Sequence, residues 1–166
     1  MQSARLILAA AALLASHGVV SHGVVSRAEA ATSTTQMTVT ATVLSSCALT
    51  GASLNFGEYV SGRTTNLDVD GQITYSNCSG RLTFELNGGQ SGNVNARAMR
   101  NGANSLNYQL FRNPTRTAIF GTGTNAQSVD QLIPGNGQVI VYGRIPSGQS
   151  VPAGTYTDTV TVTLTF

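Results

Sequence analysis

The 166-residue sequence predicts a small all-β sandwich. Three observations carry that prediction: a strict period-two alternation at the C-terminal end, a series of short apolar runs separated by turn-forming residues, and two cysteines behind an export leader.

The alternation is clearest over 156–166, which reads Tyr-Thr-Asp-Thr-Val-Thr-Val-Thr-Leu-Thr-Phe. Successive side chains of a strand point to opposite faces, so Val160, Val162, Leu164 and Phe166 share one face and the threonines take the other. Asp158 is the exception on the apolar face. Pro152-Ala153-Gly154 supplies a turn before this strand. Near the other end, Met37, Val39, Ala41 and Val43 alternate with Thr38, Thr40 and Thr42. Between these ends, strands are expected at 72–78, 81–86, 106–111 and 138–145, with a shorter extended piece around 54–56. Leu82, Phe84 and Leu86 share a face, as do Leu106, Tyr108 and Leu110. The separators are Ser61-Gly62, Asp70-Gly71, Asn87-Gly88-Gly89, Asn101-Gly102, Pro134-Gly135-Asn136-Gly137 and Ser147-Gly148. No amphipathic helical stretch of useful length interrupts them. Short strands punctuated by turns predict an immunoglobulin-like sandwich.

Residues 1–30 read as a signal peptide. Arg5 supplies the positive n-region, 6–16 is an Ala/Leu-rich apolar stretch, and Ala28-Glu29-Ala30 fits a small-x-small cleavage site. The apolar stretch is too short to span a bilayer, and no transmembrane segment is expected in the mature chain. The remaining 136 residues (166 less 30) fit one domain. In an exported chain with two cysteines, Cys47 and Cys78 are expected to form a disulfide, worth roughly 3–4 kcal/mol for a loop of this length.

Composition then narrows the function. After the leader the chain holds seven arginines and six acids, a net charge of +1, with no lysine or histidine. The arginines are scattered, so no nucleic-acid surface is expected. Without histidine or lysine there is no base for a nucleophilic triad, and no enzyme activity or catalytic residue is assigned. Two cysteines without histidine do not complete a zinc site, and no cofactor or metal is expected. Asp68 and Asp70 lie two apart, as paired carboxylates on a strand would, but Asp70-Gly71 reads more simply as a turn. Tyr75, Tyr108 and Tyr142 are read as packing residues in preference to a sugar platform.

An ordered set of segments carries a family resemblance. These are 43–47, Leu54-Asn55-Phe56-Gly57-Glu58-Tyr59, Ile73-Thr74-Tyr75-Ser76-Asn77-Cys78, Arg97-Ala98-Met99, Leu106-Asn107-Tyr108-Gln109-Leu110-Phe111, Tyr142-Gly143-Arg144-Ile145-Pro146, 152–158 and the terminal strand. Together they cover nearly all of the mature chain. The chain resembles the spore coat protein U domain, the fold shared by subunits of archaic, Csu-type chaperone–usher pili. One departure is Ile119-Phe120-Gly121, where the family more often has Trp before the Gly.

The resemblance implies a sandwich that lacks its final strand, with a hydrophobic groove in its place. A periplasmic pilus chaperone fills that groove first. The N-terminal extension of a neighbouring pilus subunit then replaces it at the outer-membrane usher, by β-augmentation between chains. The extension would be 31–41 and the domain 42–166. Met37, Val39, Ala41 and Val43 are the donor-strand candidates, and Val160, Val162, Leu164 and Phe166 the acceptor edge. Each larger donor side chain would contribute roughly 1.5–3 kcal/mol on burial. The competing reading makes 37–43 the domain's own first strand. The function implied is a structural subunit exported through the periplasm to the cell surface, serving adhesion or biofilm formation. The alternatives are a self-contained secreted module binding carbohydrate or a surface, and a coat or matrix protein that assembles without an usher.

Overall fold

The computed structural model describes residues 32–43 and 46–166. The signal peptide expected at 1–30 lies outside the described residues. The chain divides into two compact units, Met1–Ala41 and Thr42–Phe166. Within the first, 32–41 belongs to no helix or strand and exposes every side chain. Among the described residues, no helix is long and apolar enough to cross a membrane.

The second unit is built from six strands: β1 Ala48–Ser53, β2 Leu67–Leu86, β3 Arg97–Asn101, β4 Asn104–Phe111, β5 Gln127–Ile145 and β6 Val162–Thr165. All pair antiparallel, in the order β1-β2-β5-β4-β3, with β6 on the edge of β2 opposite β5, further along than β1. The spine is the β2–β5 ladder, which runs from Leu67 opposite Ile145 to Phe84 opposite Gln127. Its register breaks twice, between Tyr75 and Cys78 and between Cys78 and Gly80. Bulges of this kind bend a ladder. Before the bend, β2 and β5 carry β1 and β4; beyond it, β2 carries β6. The sheet thus curls over its own core. The Cys47–Cys78 disulfide, whose ends are 31 positions apart in sequence, ties the approach to β1 to this corner.

The core follows the period-two reading. Leu82, Phe84 and Leu86 of β2 and Leu106, Tyr108 and Leu110 of β4 are buried together with Val139, Val141 and Ile145 of β5. Phe120 is fully buried.

Several expectations are corrected. The segments 72–78 and 81–86 are one bent strand, because β5 stays paired to both. Asp70-Gly71 is not a turn: it lies inside β2, with Gly71 opposite Val141. A Cβ at Gly71 would strike the Ser53 carbonyl and Leu54, so glycine is there for close approach. The stretch 134–137 likewise belongs to β5; Gly135 faces Cys78, and Gly137 makes room for the Tyr75 ring. The 54–56 piece lies outside any strand, and β1 forms just before it. The terminal alternation persists as burial, with Tyr156, Asp158, Val160, Val162 and Leu164 half-buried and the threonines exposed, yet only Val162–Thr165 forms ladder. Thr157 instead bridges Arg100 of β3.

Asp68 and Asp70 lie on the same face of β2, each held by arginine. Arg144 donates to both oxygens of Asp68 at 2.7 Å, and Arg116 donates to Asp70 at 2.6 Å while stacking over the Tyr142 ring at 5.6 Å. The hydrogen bond from Arg144, reinforced by the Arg116 charge against the opposing effect of burial, holds the Asp68 carboxyl below its ordinary value. A depressed carboxylate stabilises the fold above its unfolded pKa, about 3.9, and loses that contribution as pH falls through the lower folded value. Asp68→Asn is therefore expected to lower stability at neutral pH and to flatten its decline below about pH 4, measured by denaturant unfolding across that range.

Arg97 is the one buried charged side chain among the described residues, at 0% exposure. It meets no carboxylate. Its guanidinium donates to the carbonyls of Leu86 (3.1 Å), Asn87 (2.8 Å) and Phe120 (2.9 Å) and to the Gln109 side chain (2.7 Å). Burial pushes its pKa down, and these oxygens offset the lost water. Arg97→Met is expected to destabilise the domain by roughly 2–5 kcal/mol, read from urea unfolding, because it strands the carbonyls that Arg97 pins.

Candidate functional site: an open groove along the core

Two segments run along the core without pairing with each other as strands. One is 54–61, which continues β1; the other is 151–162, which leads into β6. Between them lies a groove of about 1200 Å³, floored by core side chains that include Ile73, Leu106, Tyr108, Val141 and Ile145.

The first wall is placed by missing side chains. A Cβ on Gly143 would come within 2.8 Å of Leu54 and 2.9 Å of Phe56. With glycine there, and at Gly71, the 54–56 segment lies directly against β2 and β5. Phe56 then packs edge-on against Tyr108, with ring centroids 5.9 Å apart. The second wall is hung from the sheet. Thr157 and Arg100 exchange backbone hydrogen bonds at 2.8 and 3.0 Å, and Asn87 binds Thr161 through both backbone and side chain. One end of the groove is closed where Gly62 N donates to Gln149 O, Val151 N donates to Ser61 Oγ, and Tyr59 and Gln149 bond each other.

The walls leave backbone unpaired. Among the described residues, no backbone–backbone hydrogen bond ties 54–59 to another segment, and 158–160 has none either. Backbone donors and acceptors normally find partners, and a strand edge without one is a template for another strand.

Asp158 explains the polar break in the terminal alternation. Its carboxylate accepts from Tyr108 Oη (2.7 Å), Gln90 N (2.7 Å) and Thr159 N (2.8 Å). Gly89 lies so close beneath it that a Cβ would collide with the carboxylate. The contact clamps the second wall to the groove floor.

The expected site residues separate. Val160 and Val162 line the groove. Leu164 packs partly buried against the core opposite Phe84, and Phe166 is 58% exposed beyond the lining. Met37, Val39, Ala41 and Val43 are all exposed, outside any helix or strand. Of the three tyrosines, Tyr75 and Tyr108 are core residues, whereas Tyr142 lies under Arg116, so they form no common platform. Sequence reasoning missed Tyr59, Tyr108 and Asp158 as groove residues. It also missed the first wall, although Gly143 interrupting the Val139, Val141, Ile145 series is a signal of close approach.

Burial, then the hydrogen bond to Asp158, pushes the Tyr108 phenol above its ordinary value. Neutral Tyr108 thus stabilises the fold fully below about pH 10, a contribution lost only as pH climbs through the raised folded value. Ultraviolet titration of folded protein to about pH 11 is expected to give the same amplitude for wild type and Tyr108→Phe, the missing tyrosine becoming visible only after denaturation.

The comparisons with known proteins agree with this architecture. The family described as Spore Coat Protein U domain matches residues 33–163. Protein U of Myxococcus xanthus is 36% identical over 132 residues, 70% of this chain and 73% of that protein. Among solved structures, a chain of the CsuC–CsuE chaperone–tip adhesion subunit pre-assembly complex, from archaic chaperone–usher Csu pili of Acinetobacter baumannii, is similar with a TM-score of 0.56 at 26% identity. The alignment covers 75% of this chain and 41% of that one, so this chain spans less than half its length. The P pilus rod subunit PapA is a looser likeness, with a TM-score of 0.47 at 18% identity over 72% of this chain and 97% of that one. With the family match running through almost the whole of the described β unit, the chain belongs to the Spore Coat Protein U domain family.

Proposed function

We propose that this chain is a structural, non-catalytic subunit of a chaperone–usher surface pilus that polymerises by donor-strand exchange. The observation that carries the reading is the groove: an apolar floor of core side chains between two segments in which 54–59 and 158–160 make no backbone–backbone hydrogen bonds among the described residues. A strand laid between 54–61 and 151–162 would satisfy both edges and cover the floor, which is the physics of β-augmentation. The family match and the likeness to a chain of a chaperone–subunit pilus complex support the same conclusion.

The exposed segment 32–43 has the donor's properties. Met37, Val39, Ala41 and Val43 present one apolar face at two-residue spacing, with Met37 at 84%, Val39 at 81% and Val43 at 93% exposure. The alternating threonines suit the solvent face of an added strand. On the acceptor side, Val160 and Val162 line the groove directly, and Leu164 and Phe166 extend the same edge toward β6. The partners are a periplasmic chaperone that holds the groove before assembly, an outer-membrane usher, and neighbouring subunits of the same fold. The route is export by the signal peptide, passage through the periplasm and display at the surface, where the fibre serves adhesion and biofilm formation.

The test is expression in a periplasm with and without the cognate chaperone, of the whole chain and of a form lacking 31–40. The whole chain is expected to accumulate only with chaperone and to form denaturant-resistant polymers. The shortened form is expected to bind chaperone and stay unpolymerised. Abundant, protease-resistant monomer without chaperone would favour a self-contained binding module, and normal fibres from the shortened form would rule out the donor assignment.

A further inference from the structure

Three Asn-Gly pairs punctuate the β unit: Asn87-Gly88, Asn101-Gly102 and Asn136-Gly137. In such a pair the glycine nitrogen can close on the asparagine side chain, because no Cβ hinders its approach. The surroundings of the first pair favour that reaction.

Asn87 Oδ1 accepts from two backbone donors, Gly89 N at 3.0 Å and Thr161 N at 2.9 Å. Two N–H groups on one atom identify it as the amide oxygen. They stand where negative charge gathers when Cγ is attacked, the arrangement of an oxyanion hole. The bond to Gly89, two residues on, folds Cγ back toward the intervening Gly88 N. The main-chain carbonyl of Asn87 accepts from Arg97 Nε at 3.0 Å and Nη2 at 2.8 Å. That carbonyl and the Gly88 N–H belong to one peptide group. A guanidinium on its oxygen draws electron density from the nitrogen and eases loss of the N–H proton. Among the described residues, no hydrogen bond holds Gly88 N or Asn87 Nδ2. Gly88 is buried, and a Cβ there would strike the backbone of Gly92 and Asn93, whereas Asn87 is exposed. The nucleophile is thus held in place and unpaired, and the leaving group meets water.

The other two pairs differ. Asn136 Oδ1 accepts a single N–H, from Asn77 at 3.0 Å, and Gly137 is fixed in the β2–β5 ladder opposite Tyr75. Asn101 is fixed in β3 opposite Asn104.

We propose that Asn87-Gly88 is a self-modification site at which the folded chain converts its own asparagine to an imide and then to an acid. Gly88 N gives its proton to hydroxide and bonds to Asn87 Cγ. The Cγ–Nδ2 bond breaks and ammonia leaves, closing a five-membered succinimide. Water then opens one of the two imide carbonyls, leaving aspartate or isoaspartate at 87. No oxidant or reductant is needed. Isoaspartate routes the main chain through the former side chain, which displaces the oxygen that holds Thr161 N and so loosens the second wall of the groove.

The test is incubation of the protein as recovered from a periplasm, in mildly alkaline buffer made with heavy-oxygen water, beside a denatured sample. Trypsin places the three pairs on separate peptides, 82–97, 101–112 and 117–144. Folding is expected to slow labelled acid formation at Asn101 and Asn136, and to leave Asn87 several-fold faster than either. Slowing of Asn87 to the same degree overturns the site. Arg97→Lys is expected to slow Asn87 several-fold with Asn101 and Asn136 unmoved; a merely loosened fold would instead raise those two toward their denatured rates, and that outcome overturns the role of Arg97. If the variant does not fold, the wild-type comparison decides. In converted protein the Thr161 amide is expected to exchange hydrogen several-fold faster, and unchanged exchange overturns the effect on the wall.

Discussion

The β2–β5 ladder, bent at Cys78, is the constraint on which the rest of this structure depends. Its first half provides the surface for β1 and β4 and the floor of the groove; its second half provides the seat for β6. Bending one pair of long strands makes two layers from a single ladder, so inward side chains on either side of the corner meet. Phe84 from beyond the bend packs against Tyr75 from before it, with ring centroids 5.4 Å apart. The disulfide restrains this corner, and Arg97 ties the far end of β2 to the strands around it by filling a polar hole with donors. A small domain with a groove in its core has few other means of keeping shape.

Under the donor-strand proposal, the groove is a structural liability and a recognition surface for the same reason. Backbone along 54–59 and 158–160 lacks the partners that a closed sandwich would supply, and an apolar floor lies between. Left empty, such an edge invites indiscriminate pairing. The walls are therefore held from outside the groove, by the Asp158 clamp to Tyr108 and Gln90, by Asn87 on Thr161, and by the Ser61–Val151 closure. These contacts keep the walls apart and in place, so an incoming strand meets a site already formed and binding loses less entropy to ordering.

Much of the fold was legible because burial imposes period two on strands. The terminal alternation forecast which side chains of 156–165 turn inward, and the faces of 82–86 and 106–110 were read correctly. The disulfide followed from a count of two cysteines, read as those of an exported chain. What misled were the glycines. Asp70-Gly71 and 134–137 carry the residues of turns, yet they lie within strands, because glycine there answers a demand for space made by Leu54 and Tyr75 from elsewhere in the chain. Local sequence states that glycine is present without stating which of its two uses applies.

The sequence by itself determined the chemistry available and the two alternating segments: no histidine or lysine after residue 30, a forced cysteine pair, an apolar stripe at Met37, Val39, Ala41 and Val43, and another at Val160, Val162 and Leu164. Only the tertiary structure decided that the wall of the groove is irregular backbone resting on Gly143, that Asp158 is a clamp, that Arg97 is buried, and that Leu132 and Ile133 face out together at the corner. Period and composition are properties of a segment and survive without its partners. A gap between segments, a buried cation and an outward corner exist only once distant strands are in register, and that register is set by long-range pairing that no local pattern encodes.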